Sequence, residues 1–202
     1  MVLAAGTGRR FGGPKQLARV AGQPLVGHVV ATMLDAGLDV MVAVGPRADV
    51  GSRAVADAAH AAGGSDRGGR VATVEVADAA TGMGTSLAVA AEAAGPRPLV
   101  VALADQPGLV VDDVIRVVDA LAAGAPAARI RHPDGPGHPV GFGSAAHGAL
   151  VSLAGTGATG REVLAELDVE QVVVTHPRPR DVDTPRDLVE VIAAWPGRAS
   201  AP

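Results

Sequence analysis

Five short aliphatic runs, separated by longer alanine-rich stretches, decide most of what this chain can fold into. The runs are Val2–Ala5, Val40–Val44, Val71–Val76, Leu99–Ala104 and Val172–Thr175. They read as continuous rather than alternating, as expected for strands covered on both faces. The stretches between them carry helical spacing. Pro24–Ala36 holds Leu25, Val26, Val29, Val30, Met33 and Leu34 and stops at Gly37, with proline at the start and glycine past the end as helices prefer. Thr85–Ala94 and Asp112–Ala123 read the same way, and Asp183-Thr184-Pro185 opens a last helix over Arg186–Ala194. Strands alternating with helices predict an α/β fold. The expectation is a single three-layer α/β/α domain over residues 1–195 with a Rossmann-like, mostly parallel sheet, and a frayed tail over 196–202. Residues 63–70 (GGSDRGGR) read as an exposed connector. Residues 132–143 (HPDGPGHPVGFG), with three prolines and four glycines, read as a shaped loop.

Composition then narrows the chemistry. The chain has no cysteine, which excludes a disulfide scaffold, a zinc–thiolate site, an iron–sulfur cluster and a cysteine nucleophile. It also fits a reducing compartment, so a cytoplasmic location is expected. Phe11, Phe142 and Trp195 are the only aromatics, so the core is built from Ala, Val and Leu, and no stacking platform for single strands exists. With 17 basic against 21 acidic residues the net charge is -4, which argues against nucleic acid as a partner. Charged and turn residues break every apolar run before the ~18 residues a membrane span needs. No basic segment precedes the first apolar run, so it does not read as a signal peptide.

Four motifs carry chemistry. Leu3-Ala4-Ala5-Gly6-Thr7-Gly8-Arg9-Arg10-Phe11-Gly12-Gly13-Pro14-Lys15 ends a strand in a glycine-rich turn followed by cations. Glycines let backbone N–H groups converge on an anion, and Arg10 and Lys15 suit phosphate oxygens. The turn is neither a P-loop, because Pro14 follows Gly13, nor a dinucleotide fingerprint, because Phe11 stands where a third glycine belongs. An ordinary βα turn is the competing reading. Asp105, in Ala104-Asp105-Gln106-Pro107, follows a strand at the sheet end where open α/β folds bind ligands. Asp183, in Asp181-Val182-Asp183-Thr184-Pro185, follows another, and two such carboxylates suit one Mg²⁺. Helix capping is the alternative for each, with Asp181 the solvated member. Gly82-Met83-Gly84-Thr85-Ser86-Leu87 is a glycine turn into a helix N-terminus, suited to an anion or a base edge. Among the histidines, His28 and His60 read as structural or solvated, and His138 in the Pro/Gly loop as part of a substrate wall.

Together these motifs resemble a known family. LAAGTGRRFGGPK is similar to the LAAGxGxRxGxxK signature of nucleotidyltransferases that consume an NTP and release pyrophosphate. GMGTSL, ADQP, GHPVGF and DVDTP follow in the order of the MobA-like group, molybdenum cofactor cytidylyltransferase (MocA-like) branch. The resemblance spans residues 2–194. It implies transfer of CMP from CTP to a molybdopterin-type cofactor, with Mg²⁺ as cofactor and a molybdoenzyme as eventual client. LAAG, where the guanylyl branch reads LAGG, favours CTP. Site roles follow from the resemblance as well. Leu3, Ala4, Ala5 and Gly6 lie against the nucleotide. Arg10 and Lys15 hold the triphosphate. Gly82 and Ser86 meet the base or ribose. Asp105 and Asp183 bind the metal, with Arg10, Lys15 and Asp105 catalytic. His138, Pro139 and Phe142 shape the acceptor pocket. Two positions depart from the pattern: Ala158 stands where an acid is expected, and Gly141 where a larger aliphatic residue is common. Both read as acceptor-side changes. They leave open the same chemistry on another phosphorylated acceptor, or with GTP. A non-catalytic nucleotide-binding accessory protein is the reading of a different class.

Overall fold

A computed structural model describes residues 1–64 and 68–195. The centre of the connector and the whole of the expected tail lie outside the described residues. The strands are β1 (Val2–Leu3), β2 (Arg19–Val20), β3 (Gln23–Pro24), β4 (Val40–Val44), β5 (Val71–Glu75), β6 (Leu99–Leu103), β7 (Ala127–His132), β8 (Gly135–Phe142) and β9 (Val169–Val173). The helices are α1 (Leu25–Asp35), α2 (Val50–Gly63), α3 (Met83–Ala94), α4 (Val111–Ala122), α5 (His147–Val151), α6 (Gly160–Ala165) and α7 (Pro185–Ala194). Seven strands form one sheet in the order β5-β4-β1-β6-β8-β7-β9, and β2 and β3 pair separately. Every pairing in the large sheet is parallel except those of β8, which runs antiparallel to both β6 and β7. The α/β class and the mostly parallel sheet are as the alternation predicts.

The core is aliphatic on both faces of the sheet. One side packs Val26, Val29, Val30 and Met33 of α1 with Val114 and Val117 of α4 against Val2, Val42 and Ala102. The other packs Leu87, Ala88 and Ala91 of α3 with Leu150 and Leu153 against Ala43, Val101 and Phe142. Burial on both faces explains why β4 and β6 are unbroken apolar runs. The edge strands differ: β5 is only half-buried, and Val173 of β9 is exposed.

Three expectations need correction. Residues 132–143 are not a loop: they close the β7–β8 hairpin and supply an eight-residue strand. Proline cannot donate to a ladder, which is why the segment read as irregular. The structure accommodates both prolines because β6 pairs only with residues 140–142 of β8, and the β7 register shifts between Arg129 and Arg131. The last strand is Val169–Val173 rather than 172–175. Helix α2 also went unread. Its buried face is Val55 and Ala59, too weak an apolar signal beside Gly51 and Asp57, although Asp49 caps it by accepting from the backbone N–H groups of Gly51 and Ser52.

Candidate active site

The C-terminal ends of β1 and β6, the turn leading into α3 and the segment before α7 meet at one end of the sheet, where open α/β folds place ligands. Residues 6–14 leave β1 as a tight loop closed by Phe11, Gly12 and Gly13 backbone N–H groups donating to the Gly8 carbonyl. Gly8 has φ +63°, and a Cβ there would lie 1.9 Å from the Gly13 oxygen, so only glycine closes this loop. Gln16, buried, braces it from beneath by donating Nε2 to the carbonyls of Ala4 (2.8 Å) and Gly6 (2.7 Å).

Lys15 sits at the centre. Its Nζ is 2.6 Å from Asp105 Oδ2 and 2.6 Å from Asp183 Oδ1. Arg10, largely exposed, donates to Asp183 Oδ2 at 3.0 Å. Neither aspartate is spent on a helix. The N-cap of α4 is Val110, and that of α7 is Thr184, in a capping box with Asp187. Burial alone would lower the Lys15 ammonium, but the two carboxylates outweigh it and raise it. The Lys15 hydrogen bond holds Asp183 below the ordinary carboxylate range. Burial pushes Asp105 above that range in spite of Lys15.

A cavity of about 590 Å³ opens over this cluster. It is lined by Leu3, Ala5, Gly6, Arg10, Lys15, Gly82, Ser86, Asp105 and Asp183, which brings together most of the residues singled out from the sequence. Ala4 does not line it and faces an adjoining cavity of about 480 Å³, which shares Ala5, Gly6, Thr7 and Gln16 with the first. In α3, Gly84 passes directly against the residue 158 backbone: a Cβ there would lie 1.9 Å from the Ala158 oxygen.

A third cavity, of about 850 Å³, meets the first along Leu3, Met83, Leu103 and Asp181. His138, Val140 and Phe142 form one wall. Strand alternation turns Pro139 and Gly141 to the opposite face, so Pro139 does not line the cavity and Gly141 packs against Val117 and Leu121 of α4. Gly141 therefore faces α4 and not the third cavity. Ala158 is absent from the lining too, but its neighbours Thr159, Gly160 and Arg161 contribute. Burial pulls the His138 imidazole down to about 4.

Several residues of this region were not read from the sequence as site residues. Arg129 and Arg178 join Arg161 around the third cavity, and the Arg129 Nε is buried without a hydrogen-bond partner among the described residues. Gln106 Nε2 donates to Asp181 Oδ1 at 2.6 Å, tying the Asp105 turn to the segment before α7. Arg129 lies on a strand whose partner read as a loop, so nothing in the sequence pointed it at a cavity. His28 and His60, read as structural or solvated, each bond a backbone carbonyl, that of Val20 and that of Ala56, and His60 is exposed.

Solved structures support the same picture. Rv0371c from Mycobacterium tuberculosis H37Rv is similar at 28% identity and TM-score 0.75, over 96% of both chains. Its manganese complex gives 29% identity, TM-score 0.71 and the same coverage. Molybdopterin-guanine dinucleotide biosynthesis protein A from Archaeoglobus fulgidus shares the fold at 19% identity and TM-score 0.66, over 95% of both chains. No curated protein matches the sequence. The profile of the MobA-like NTP transferase domain matches residues 1–180, and with the glycine loop and its lysine–dicarboxylate cluster at the sheet end the chain belongs to that family and is a nucleotidyltransferase.

Proposed function

We propose that this enzyme transfers CMP from CTP to the phosphate of a molybdopterin-type cofactor, with Mg²⁺ as its metal, and releases pyrophosphate. The observation that carries the reading is the convergence of Asp105 and Asp183 on one cationic centre, beside the junction of a nucleotide-sized cavity and an arginine-lined one. Leu3-Ala4-Ala5-Gly6 supports CTP as donor, and Asp105-Gln106-Pro107 with residues 137–142 (GHPVGF) supports the pterin acceptor. The arginines of the third cavity suit a phosphorylated acceptor.

The carboxylate pair fits a hard divalent cation. Both donors are oxygens, and Asp105 Oδ1 is buried with no hydrogen-bond partner among the described residues. The manganese complex of Rv0371c agrees with a divalent ion in this family. Held by Asp105 and Asp183, the ion supplies Lewis-acid polarisation and neutralises phosphate charge. The chain's own residues do the rest. The glycine loop offers backbone N–H groups to the nucleotide, and Arg10 and Lys15 neutralise the triphosphate. An acceptor phosphate oxygen attacks the α-phosphorus in line. The bond to the bridging oxygen breaks, and its electron pair leaves with pyrophosphate, stabilised by Lys15 and Arg10. The attacking oxygen is already deprotonated at neutral pH, so positioning and charge dominate over proton transfer. His138, neutral at that pH, contributes shape and a hydrogen bond, while Arg129, Arg161 and Arg178 contribute charge.

The test is thermal unfolding with CTP, GTP, ATP and UTP, with and without Mg²⁺, followed by pyrophosphate release with molybdopterin. A ligand at ~100 times its Kd adds roughly 2.7 kcal/mol, several degrees for this chain length. A Mg²⁺-dependent shift with CTP alone is expected, and a shift with GTP alone would move the donor to the guanylyl branch. Asp105→Asn should lower turnover by about 100-fold or more, the scale of one lost transition-state contact at ~2.7–4 kcal/mol. Retention of a third of wild-type turnover at saturating Mg²⁺ would remove Asp105 from the metal.

A further inference from the structure

A second constellation of ligand atoms lies outside the nucleotide cavity and shares no residue with it. Asp113 in the first turn of α4, His132 at the end of β7 and His176 after β9 each present one atom, and these three lie within 4.8 Å of one another. Asp113 and His132 are each only 2% exposed, whereas the His176 side chain is 37% exposed, so the cluster is buried but reachable from one side.

The hydrogen bonding within it is incomplete in an informative way. Asp113 Oδ1 is 3.1 Å from His176 Nε2. Among the described residues, Asp113 Oδ2 and His132 Nε2 are both buried with no partner, which is costly for groups of this kind. His132 Nδ1 lies 3.2 Å from the His176 carbonyl oxygen, and His176 Nδ1 lies 3.1 Å from the Pro177 carbonyl oxygen. A carbonyl only accepts, so each Nδ1 carries a proton. That leaves His132 Nε2 as a bare lone pair and His176 Nε2 facing a carboxylate. A histidine whose far nitrogen donates to a backbone carbonyl is oriented as metal-ligating histidines are. Glycine at 137 keeps the space beside the ring open, since a Cβ there would lie 2.7 Å from His132 Nε2.

We propose that Asp113, His132 and His176 bind a first-row transition-metal dication of the Zn²⁺ class, separate from the cation of the carboxylate pair. Two imidazoles, borderline donors, with one carboxylate suit Zn²⁺ and its neighbours, whereas Mg²⁺ prefers oxygen alone. Three protein ligands leave a fourth position to water on the exposed side. The site would act as a clamp. His176 begins the segment that carries Arg178 and Asp181 to the third cavity and Asp183 to Lys15, and Gly137 beside His132 lines that cavity. The ion would thus join α4, the β7–β8 hairpin and this segment at one point. The proposal rests on the cluster's own geometry and stands whichever nucleotide and acceptor the enzyme uses.

Untagged protein, stripped with a chelator and returned to excess Mg²⁺, should be titrated with Zn²⁺ against a chromophoric chelator, and with Co²⁺ by visible absorption. The expected result is one tight equivalent of Zn²⁺ and the d–d bands of an imidazole-ligated Co²⁺ site. His132 is buried and its replacement would disturb the packing around it, so the deciding variant is His176→Gln at the exposed ligand, with folding checked by circular dichroism. It should weaken Zn²⁺ binding by more than about 100-fold, beyond the roughly 10–100-fold typical of losing an outer-shell partner, while Asp105→Asn leaves it unchanged. No uptake by wild type in excess Mg²⁺, equal affinity in His176→Gln, or loss of the site in Asp105→Asn would each overturn the proposal.

Discussion

Lys15 occupies the place a cation takes between two carboxylates. Its ammonium touches Asp105 and Asp183 at 2.6 Å each, and its side chain is only 13% exposed. It is thus both the partner of a buried acid and a competitor for any ion at that acid. Lys15→Met should lose stability without metal by about 3 kcal/mol, the low end for leaving a buried charge unpaired. It should also gain a larger rise in melting temperature from Mn²⁺ than wild type does, while pyrophosphate release falls. Thermal unfolding with and without Mn²⁺ reads this directly, and an unchanged Mn²⁺ shift would mean that Lys15 and the ion do not share a position. The sequence placed Lys15 near phosphate but offered no sign of this contact, since 90 and 168 residues separate it from its partners.

Strand β8 and helix α4 show how one residue's role is set by the element around it. Residues 138, 140 and 142 face the third cavity, whereas Gly141 faces α4. A Cβ at 141 would lie 2.7 Å from Val117 Cγ1 and 2.9 Å from Leu121 Cδ1. Gly141→Val should therefore cost about 1–3 kcal/mol by overpacking. The nucleotide-dependent thermal shift and the acceptor KM should stay as in wild type. Urea unfolding and acceptor kinetics separate the cases: a raised KM at unchanged stability would return position 141 to the acceptor wall.

Across the whole molecule, burial of His138 couples the third cavity to stability. Burial is the main cause of its low value, about 4, with Arg129, Arg161 and Arg178 also lowering it and Asp181 opposing them. Unfolded, a histidine titrates near 6.5. The unfolded chain therefore takes up this proton first as the pH falls. The contribution is complete above about pH 6.5 and is lost on the way down to pH 4, amounting to about 3 kcal/mol in all. Unfolding free energies measured from pH 7 to 4 should fall more steeply in wild type than in His138→Gln, and parallel curves would deny the effect. Local chemistry alone determined much of this protein. Continuous aliphatic runs specify parallel strands, Pro and Gly mark the ends of α1, and the glycine turn after β1 needs no distant partner to form. The tertiary structure decided what depends on contacts far apart in the chain. It made a strand of residues 135–142 because β7 and β6 supply partners that proline itself cannot recruit. It gave the α7 cap to Thr184 and left Asp183 to Lys15. It brought Arg129, Arg161 and Arg178 around one cavity and set Asp113 beside two histidines. No spacing encodes these meetings, because they arise only when the sheet stacks elements in an order different from the order of the chain.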